Sequence, residues 1–88
     1  MNNSQKFLKL YDEAKKINVD NFGRHLFTIN ELSKMTGLNH HAITNILTII
    51  AKKFPEFIYV EQSGKITIFD LSNLLKEDEY RIRNFINL

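Results

Sequence analysis

The sequence predicts a mainly α-helical domain that carries one small β-hairpin. Apolar residues recur every three or four positions in two parts of the chain, before the sole proline, Pro55, and after the segment that follows it. This is the spacing of amphipathic helices. Directly after Pro55, two β-branched and aromatic runs, FIYVE and KITIF, flank the short stretch QSG. Such runs around a glycine-containing turn are typical of a hairpin.

Length and composition limit the chain to one domain. With 88 residues, 43% of them hydrophobic and 25% charged, residues 1–88 fit a single small core. The absence of cysteine suits a reducing compartment, and the N-terminus has neither a signal-peptide pattern nor a lipidation motif. No apolar run approaches the roughly 18 residues that span a bilayer. We therefore expect a cytoplasmic protein with no membrane partner.

The first element is an amphipathic helix predicted over residues 4 to about 18. Its apolar positions are Phe7, Leu10, Tyr11, Ala14 and Ile17. Lysines at positions 6, 9, 15 and 16 face water on the other side. Residues 19–26 contain Gly23 and are expected to form a connector.

A second, short helix is predicted over residues 29–36. Thr28 and Glu31 match a capping box, in which the threonine hydroxyl accepts a backbone amide and the glutamate reaches back to the cap. Gly37 ends this helix because glycine adopts the left-handed conformation at little cost. Asn39 is then a suitable cap for the next helix.

The helix that follows Asn39 has two unlike faces. Its apolar face comprises Ile43, Ile46, Leu47, Ile50 and Phe54, and its polar face comprises His41, Thr44, Asn45, Thr48 and Lys52. The polar face has no carboxylate, although a solvated helix face usually mixes glutamate with lysine. No acidic residue lies between Glu31 and Glu56, and the lysines in this window are Lys34, Lys52 and Lys53. A nucleic-acid footprint is expected to centre on this window.

Beyond Pro55 the period becomes strand-like. Strands are predicted over residues 57–61 and 65–69, joined by a turn over residues 62–64, and Asp70 is placed to cap a following helix. The apolar residues from Leu71 to the C-terminus fit either one continuous helix or two short helices that break within residues 76–79. The sequence leaves both alternatives open.

Helix, short helix, tight turn, helix and hairpin is the element order of a winged helix-turn-helix. The helix-turn-helix covers about residues 28–54, the wing about 57–69 and the C-terminal helix or helices about 71–87. Residues of the types that such a unit needs occur at its spacings, namely Leu32, Ser33, Gly37, Leu38, Ile43 and Ile46. The segment TGLN is then the turn, and His40 and His41 begin the predicted recognition helix.

Two passages, ELSKMTGLNHHAITNIL and GKITIFDLSNL, resemble the C-terminal DNA-binding domain of the cyclic-AMP receptor protein and its relatives, and the likeness extends over about residues 6–75. The resemblance implies a dimeric transcription regulator of prokaryotic or viral type that contacts DNA through its recognition helix. Early in that helix the family usually has arginines and a glutamate, and this chain has Asn39, His40, His41 and Asn45 instead. The chain is also too short for the family's ligand-binding domain, so no cyclic nucleotide is expected.

We expect a small protein that binds specific double-stranded DNA and regulates transcription. The residues expected at base edges are His40, His41, Thr44, Asn45 and Thr48, and Asn39 either caps the helix or contacts a base. The residues expected at phosphates are Lys34, Lys52 and Lys53, and those expected to reach the DNA backbone or minor groove from the wing are Gln62, Ser63 and Lys65.

The alternative function is protein binding. A winged helix can serve as an interaction module, such as a phage or plasmid factor that docks on host transcription machinery. The small net charge of +2 and the acidic residues around the hairpin favour this alternative, because DNA affinity depends on many cationic phosphate contacts.

No cofactor, metal, small-molecule ligand or catalytic activity is expected. Adjacent helical side chains such as His40 and His41 point about 100° apart, which is poor geometry for a shared metal ion. His25 has no partner at ligand spacing. The sequence lacks cysteine, a serine nucleophile motif and a glycine-rich phosphate loop.

Homodimerisation is expected from the apolar residues at the two ends of the chain. The C-terminal segment carries Leu74, Leu75, Tyr80, Ile82, Phe85, Ile86 and Leu88, and the first helix adds Phe7, Leu10, Tyr11 and Ile17. A domain of this size buries only a little over about 60% of its unfolded surface, and these residues exceed what it is expected to cover. The alternative is a monomer in which the C-terminal segment folds back over its own domain.

Overall fold

A computed structural model describes the backbone of residues 1–88 and every side chain except that of Phe85. The helices are α1 (Asn3–Asp20), α2 (Ile29–Thr36), α3 (His40–Lys53), α4 (Ser72–Lys76) and α5 (Glu79–Phe85), and the strands are β1 (Leu26–Thr28), β2 (Tyr59–Ser63) and β3 (Ile66–Asp70). A 3-10 turn, Pro55–Phe57, connects α3 to β2. The expected class, mainly α-helical with a small β element, is confirmed, and the β element is a three-stranded antiparallel sheet instead of a hairpin alone.

Helix α1 is slightly longer than predicted. It begins at a capping box in which the Asn2 side chain accepts a hydrogen bond from the Gln5 amide at 2.8 Å and the Gln5 side chain accepts one from the Asn2 amide at 2.9 Å. The helix continues through Asp20, where its end is held by the Asn21 side chain, which donates to the Ile17 carbonyl at 3.1 Å. The predicted connector is therefore shortened at its start.

A strand that the sequence did not predict begins at the last residue of the connector. Strand β1 pairs antiparallel with β3, with Leu26 opposite Asp70 and Thr28 opposite Ile68, so the sheet has three strands in the order β1-β3-β2. A three-residue strand is too short to display a period of two. It forms because a distant segment, β3, supplies the hydrogen-bond partners for its backbone.

The hairpin register differs from the prediction. Ser63 lies opposite Ile66, so the turn consists of Gly64 and Lys65, and Gln62 and Ser63 belong to β2. Gly64 has a φ of +64°, a left-handed conformation that glycine adopts without steric cost, which explains why the chain reverses there.

Strand β2 also begins two residues later than predicted. Pro55 opens the 3-10 turn, whose fixed proline φ suits a first helical position. Within this turn Phe57 is buried, and its ring stacks on that of Phe54 with 5.6 Å between ring centroids. Phe57, which suggested the start of a strand in the sequence, therefore packs in the core before β2 begins at Tyr59.

The C-terminal segment forms two helices. Of the two alternatives that the sequence left open, the break within residues 76–79 is the one observed. The Asp78 carboxylate accepts a hydrogen bond from the Tyr80 amide at 2.9 Å and so caps α5. The Asp70 carboxylate accepts one from the Ser72 amide at 2.9 Å at the start of α4, although Leu71 occupies the formal cap position.

One core lies between the helices and the inner face of the sheet. Its buried apolar residues are Phe7, Leu10, Tyr11, Ala14, Phe27, Leu32, Ile43, Ile46, Leu47, Ile50, Phe57, Ile58, Leu71, Leu74, Leu75 and Ile82. Three contacts join α1 to the C-terminal segment. Asp12 pairs with Arg83, the Lys15 ammonium donates to the Leu75 carbonyl at 2.6 Å, and the Leu88 amide donates to the Ser4 hydroxyl at 3.1 Å.

This core corrects the premise of the expected dimer. Leu74, Leu75 and Ile82 are at most 2% exposed, and the α1 residues Phe7, Leu10 and Tyr11 are equally buried. Ile17, Ile86 and Leu88 are half-buried against the same core, whereas Tyr80 is exposed. The side chain of Phe85 lies outside the described residues. The apolar residues of the two chain ends cover each other within one copy, as in the alternative where the C-terminal segment folds back.

The buried phenol of Tyr11 generates a prediction about stability. Its hydroxyl is buried and has no hydrogen-bond partner among the described residues. We expect Tyr11→Phe to be at least as stable as the parent at neutral pH, by up to about 1 kcal/mol, because it removes an unsatisfied polar group. Urea denaturation of both proteins measures this difference, and a clear loss of stability would show that the hydroxyl has a partner.

The same residue predicts an alkaline pH dependence. Burial raises the pKa of Tyr11, and the nearby carboxylate of Glu79 raises this pKa further. Between the ordinary tyrosine pKa of about 10 and the raised value, the unfolded chain loses its proton first, so the free energy of unfolding falls as pH rises. Tyr11→Phe should lessen this fall, whereas Tyr59→Phe, at a half-exposed tyrosine, should not. Equal alkaline profiles of all three proteins would contradict the assignment.

Candidate nucleic-acid interface

Two side chains hydrogen-bond to the backbone amide and carbonyl of Leu38 and so hold the turn between α2 and α3. The buried Thr36 hydroxyl donates to the Leu32 carbonyl at 2.7 Å and accepts from the Leu38 amide at 3.1 Å. The Ser33 hydroxyl donates to the Leu38 carbonyl at 2.5 Å. Gly37 has a φ of +72°, as expected for the helix-ending glycine. We call the Thr36 and Ser33 contacts the Leu38 clamp.

The sequence does not predict the Leu38 clamp. The helix-turn-helix spacing calls for a small residue at Ser33, and Thr36 is predicted only as the last residue of the short helix. Thr36 is the buried polar residue of the described core, at 1% exposure. A threonine one residue before a helix-ending glycine is a weak signal, because its hydroxyl can equally face solvent or bond back to its own helix.

Helix α3 starts as the sequence predicted. The Asn39 side chain accepts a hydrogen bond from the Ala42 amide at 2.8 Å, so Asn39 caps the helix and retains a free side-chain amino group. The face turned to the core consists of Ile43, Ile46, Leu47 and Ile50. Phe54, predicted as the last residue of this face, follows the helix end and is half-buried.

The opposite face of α3 is exposed along its length. It comprises His41, Thr44, Asn45, Thr48 and Lys52, and we call it the polar stripe. His40 is exposed beside it in the first turn. The Thr48 hydroxyl donates to the Thr44 carbonyl at 2.8 Å, so its proton is used inside the helix while its oxygen can still accept. The stripe thus presents hydrogen-bonding groups and one cation, and no carboxylate.

The β2-β3 hairpin lies along one edge of the polar stripe. A shallow apolar groove separates the two, lined on the α3 side by Thr44, Leu47, Thr48 and Ala51 and on the sheet side by Ile58, Val60 and Phe69. Side chains alternate between the two faces of a strand. Since Val60 faces the groove, Gln62 points to the α3 side of the sheet, and Glu61 and Ser63 point to the other side.

The predicted wing residues therefore lie in three different places. Gln62 is on the α3 side, where its amide donates to the Thr67 hydroxyl at 3.0 Å. Ser63 is exposed on the opposite face of the sheet. Lys65 is at the hairpin tip and lines a cavity with Thr28 and Asn30 at the start of α2. The structure brings only Gln62 to the side of the polar stripe.

The lysines of the acid-free window also separate. Lys34 is exposed in the last turn of α2, and Lys52 is part of the polar stripe. Lys53 lies about 100° further around α3, and its ammonium donates to the Asn87 carbonyl at 3.3 Å. Lys53 therefore helps to hold the C-terminus, a contact that spacing along the chain could not reveal.

Of the acidic residues near α3 in sequence, Glu56 is exposed in the 3-10 turn, and Glu31, Glu61 and Asp70 are directed away from the polar stripe or already paired. Glu61 and Asp70 lie on the sheet face opposite α3 by strand alternation, and Asp70 accepts the Ser72 amide. Glu31 accepts from the Thr28 amide at 2.9 Å and pairs with Arg24. The hairpin is net acidic in sequence, yet its carboxylates do not face the groove.

Within the part of the chain that the structure describes, no three His, Cys, Asp or Glu residues are grouped to hold a metal ion. The His25 ring nitrogen Nδ1 lies 3.1 Å from the Gly23 carbonyl in the connector, away from the other histidines in sequence. No helix of the described residues is both long and apolar enough to cross a membrane.

Comparisons of the chain with protein-family models, with curated proteins and with solved structures found no match. The contacts, exposure and charges described above are therefore the grounds for a proposal about function.

The Leu38 clamp generates a prediction. Thr36→Val keeps the side-chain shape, removes the buried hydroxyl and leaves the Leu38 amide without that partner, so it should lower the free energy of unfolding by about 1–3 kcal/mol. The matched control is Thr44→Val on the polar stripe, which should change stability by about 0.5 kcal/mol or less because Thr44 is exposed. Urea denaturation measures both, and equal effects of the two substitutions would contradict a structural role for the clamp.

Proposed function

We propose that this chain is a winged helix-turn-helix protein that binds specific sequences in double-stranded DNA and regulates transcription. The observation that carries the proposal is the polar stripe, an exposed and acid-free face of α3 beside a β-hairpin. The order of α2, tight turn, α3 and hairpin, together with a three-stranded sheet in the order β1-β3-β2, supports a winged helix. A cytoplasmic location is part of the same proposal.

The chemistry of the polar stripe fits the major groove. The groove is about 12 Å wide, admits an α-helix and presents donors, acceptors and thymine methyl groups on the base edges. The Asn45 amide can donate and accept at once on an adenine, and a threonine such as Thr44 can use its hydroxyl or its methyl group. A carboxylate here would be repelled by the flanking phosphates, which gives a physical reason for its absence.

Lys34 and Lys52 are the cations that we assign to phosphates. Both are exposed, and they lie on the helices before and after the Leu38 clamp. Gln62 is assigned to the same side from the hairpin, because it shares the α3 face of the sheet. We leave Lys53 and Ser63 out of the proposed interface, since Lys53 contacts the C-terminus and Ser63 faces away. Lys65 would reach DNA only from the hairpin tip.

A second function, protein binding, is favoured by one specific observation. The groove between α3 and the hairpin is lined almost entirely by apolar atoms, and Val60 at its rim is 56% exposed. DNA backbones offer little to such a surface, whereas an apolar side chain of a protein partner can fill it. The small net charge of +2 also limits the number of phosphates that the chain can neutralise.

Salt dependence separates the two functions. Binding to a random-sequence duplex, followed by fluorescence anisotropy at about 50 and 200 mM salt, should weaken as salt increases, because phosphate contacts release counterions. A protein that does not bind the duplex at the lower salt concentration would favour the protein-partner function. Selection from a random duplex library then supplies the preferred site.

On that selected site, two substitutions on α3 should behave differently. Asn45→Ala should cost about 1–3 kcal/mol of binding free energy and relax the preference at one base pair. Lys52→Ala should weaken all sequences alike and reduce the salt slope by about 1. Lys9→Ala is the matched control, because it removes one exposed lysine from α1, outside the proposed interface. A uniform loss for both α3 variants would contradict base contact by Asn45.

A further inference from the structure

Strand β2 forms an open edge of the sheet. Its residues, Tyr59 to Ser63, are all exposed, and among the strands that the structure describes it pairs with β3 alone. The two-residue turn makes Ser63 and Ile66 the hydrogen-bonded pair that closes the hairpin. Because such pairs alternate along an antiparallel ladder, the backbone groups of Val60 and Gln62 point away from β3, to the free edge.

This edge has little of the protection that open edges usually carry. Natural proteins block open edges with charged side chains, lysine above all, with proline or with a bulge. The sequence of β2, YVEQS, contains neither lysine nor proline, its one charged residue is Glu61, and its ladder with β3 runs without interruption from Tyr59 to Ser63. Tyr59 is 50% and Val60 56% exposed, so apolar side chains flank the unpaired backbone groups.

We propose that β2 pairs antiparallel with β2 of a second copy of this chain, joining the two three-stranded sheets into one. The pairing does not depend on the proposed function. A strand of a different protein is the other occupant that such an edge could take, and a parent mass that stays at one chain in the sedimentation experiment below would favour it.

The register follows from the charges and the exposed apolar side chains of the strand. In an antiparallel pair of strands, the residues whose backbone N–H and C=O groups point to the free edge must lie opposite each other. The two-fold axis that relates the copies can then pass through Val60, Glu61 or Gln62, which gives three symmetric arrangements. Centring on Glu61 places two carboxylates directly opposite, which is unfavourable. Centring on Gln62 pairs as many β2 residues as centring on Val60 does, but it sets the exposed Val60 opposite the turn residue Gly64, which has no side chain to pack against it. Centring on Val60 places Tyr59 opposite Glu61 of the second copy and avoids like charges, so we assign this register.

The arrangement would also serve DNA binding. Residues directly opposite in an antiparallel sheet point to the same face. Both α3 helices would therefore lie on one side of the joined sheet, because Val60 faces α3 in each copy. Two polar stripes on one side can contact one duplex, and this last step rests on the proposed function.

Cysteine cross-linking tests the register, and the parent chain has no cysteine to interfere. Val60→Cys should form a disulfide-linked dimer under mild oxidation, because hydrogen-bonded partners have Cα atoms about 5.5 Å apart, within the range of about 4.4–6.8 Å that a disulfide spans. Ile66→Cys is the matched control for random collision, since Ile66 is 56% exposed like Val60 but lies on β3. Equal cross-linking rates for the two variants, or faster cross-linking of Gln62→Cys than of Val60→Cys, would overturn the assigned register.

Sedimentation equilibrium without DNA tests the pairing itself. A single strand pair buries less surface than the roughly 1,200–2,000 Å² of a standard interface, so micromolar affinity is expected and the experiment needs concentrations up to about 200 μM. The parent should approach twice the 10.4 kDa of one chain. Val60→Lys should weaken the dimer about tenfold or more, whereas Ile66→Lys should not.

Circular dichroism of both lysine variants separates loss of pairing from loss of fold. A parent mass of 10.4 kDa throughout this concentration range would overturn the proposal, as would a Val60→Lys variant that dimerises as well as the parent. Because no DNA is present, neither result bears on the polar stripe. Failure of DNA binding with an intact dimer would instead count against the proposed function alone.

Discussion

The Leu38 clamp is the constraint on which the arrangement of the candidate site depends. Three residues separate α2 from α3, and Leu38, the middle one, has its amide held by Thr36 and its carbonyl held by Ser33. With Gly37 in the left-handed conformation, little freedom remains in the direction that α3 takes from α2. Because a partly buried peptide group without partners is unfavourable, the two hydroxyls also stabilise the turn.

The direction of α3 determines which of its faces reaches solvent. Ile43, Ile46 and Ile50 are buried against the core, so rotation of the helix about its axis is restricted. The polar stripe then faces outward, and its edge at Thr44 and Thr48 adjoins the hairpin. A stripe of small polar groups adds little to stability at an exposed site, so folding alone does not explain its composition. The hairpin supplies the second wall of this surface, and its carboxylates face the other way.

The C-terminal helices close the core instead of offering an interface. Arg83 on α5 pairs with Asp12 on α1, and Lys15 donates to the carbonyl of Leu75 in α4, so the two ends of the chain are joined through several contacts. The carboxylate of Asp12 raises the pKa of Arg83, as expected for an ion pair. With these apolar faces covered, an association between copies has to use a different surface. The open edge of β2 fulfils that requirement through backbone groups, which the sequence pattern does not display.

The sequence by itself determined the segments whose signals are local. Helix α2, its capping box, the turn glycine and the Asn39 cap were all predicted at the observed positions, because each hydrogen bond joins residues within a few positions of each other. The faces of α3 followed from spacing alone, and the exposed stripe is where it was expected. Tertiary structure decided the rest. Strand β1 exists only because β3 lies beside it, and β2 begins at Tyr59 because Phe57 packs in the core within the 3-10 turn.

The candidate site divides in the same way. Asn45 and Lys52 could be chosen from helical periodicity, since their exposure depends on the helix axis and the buried stripe. The separation of Gln62 from Ser63 depended on the strand register, and the contact of Lys53 with Asn87 joins residues at opposite ends of the chain. Burial of the C-terminal apolar residues within one copy could not be deduced from their number, because it depends on whether α1 and α3 leave room for them. Local hydrogen bonds can be predicted from residues that are neighbours in sequence. Strand pairing and core packing depend on contacts between segments that are distant in sequence.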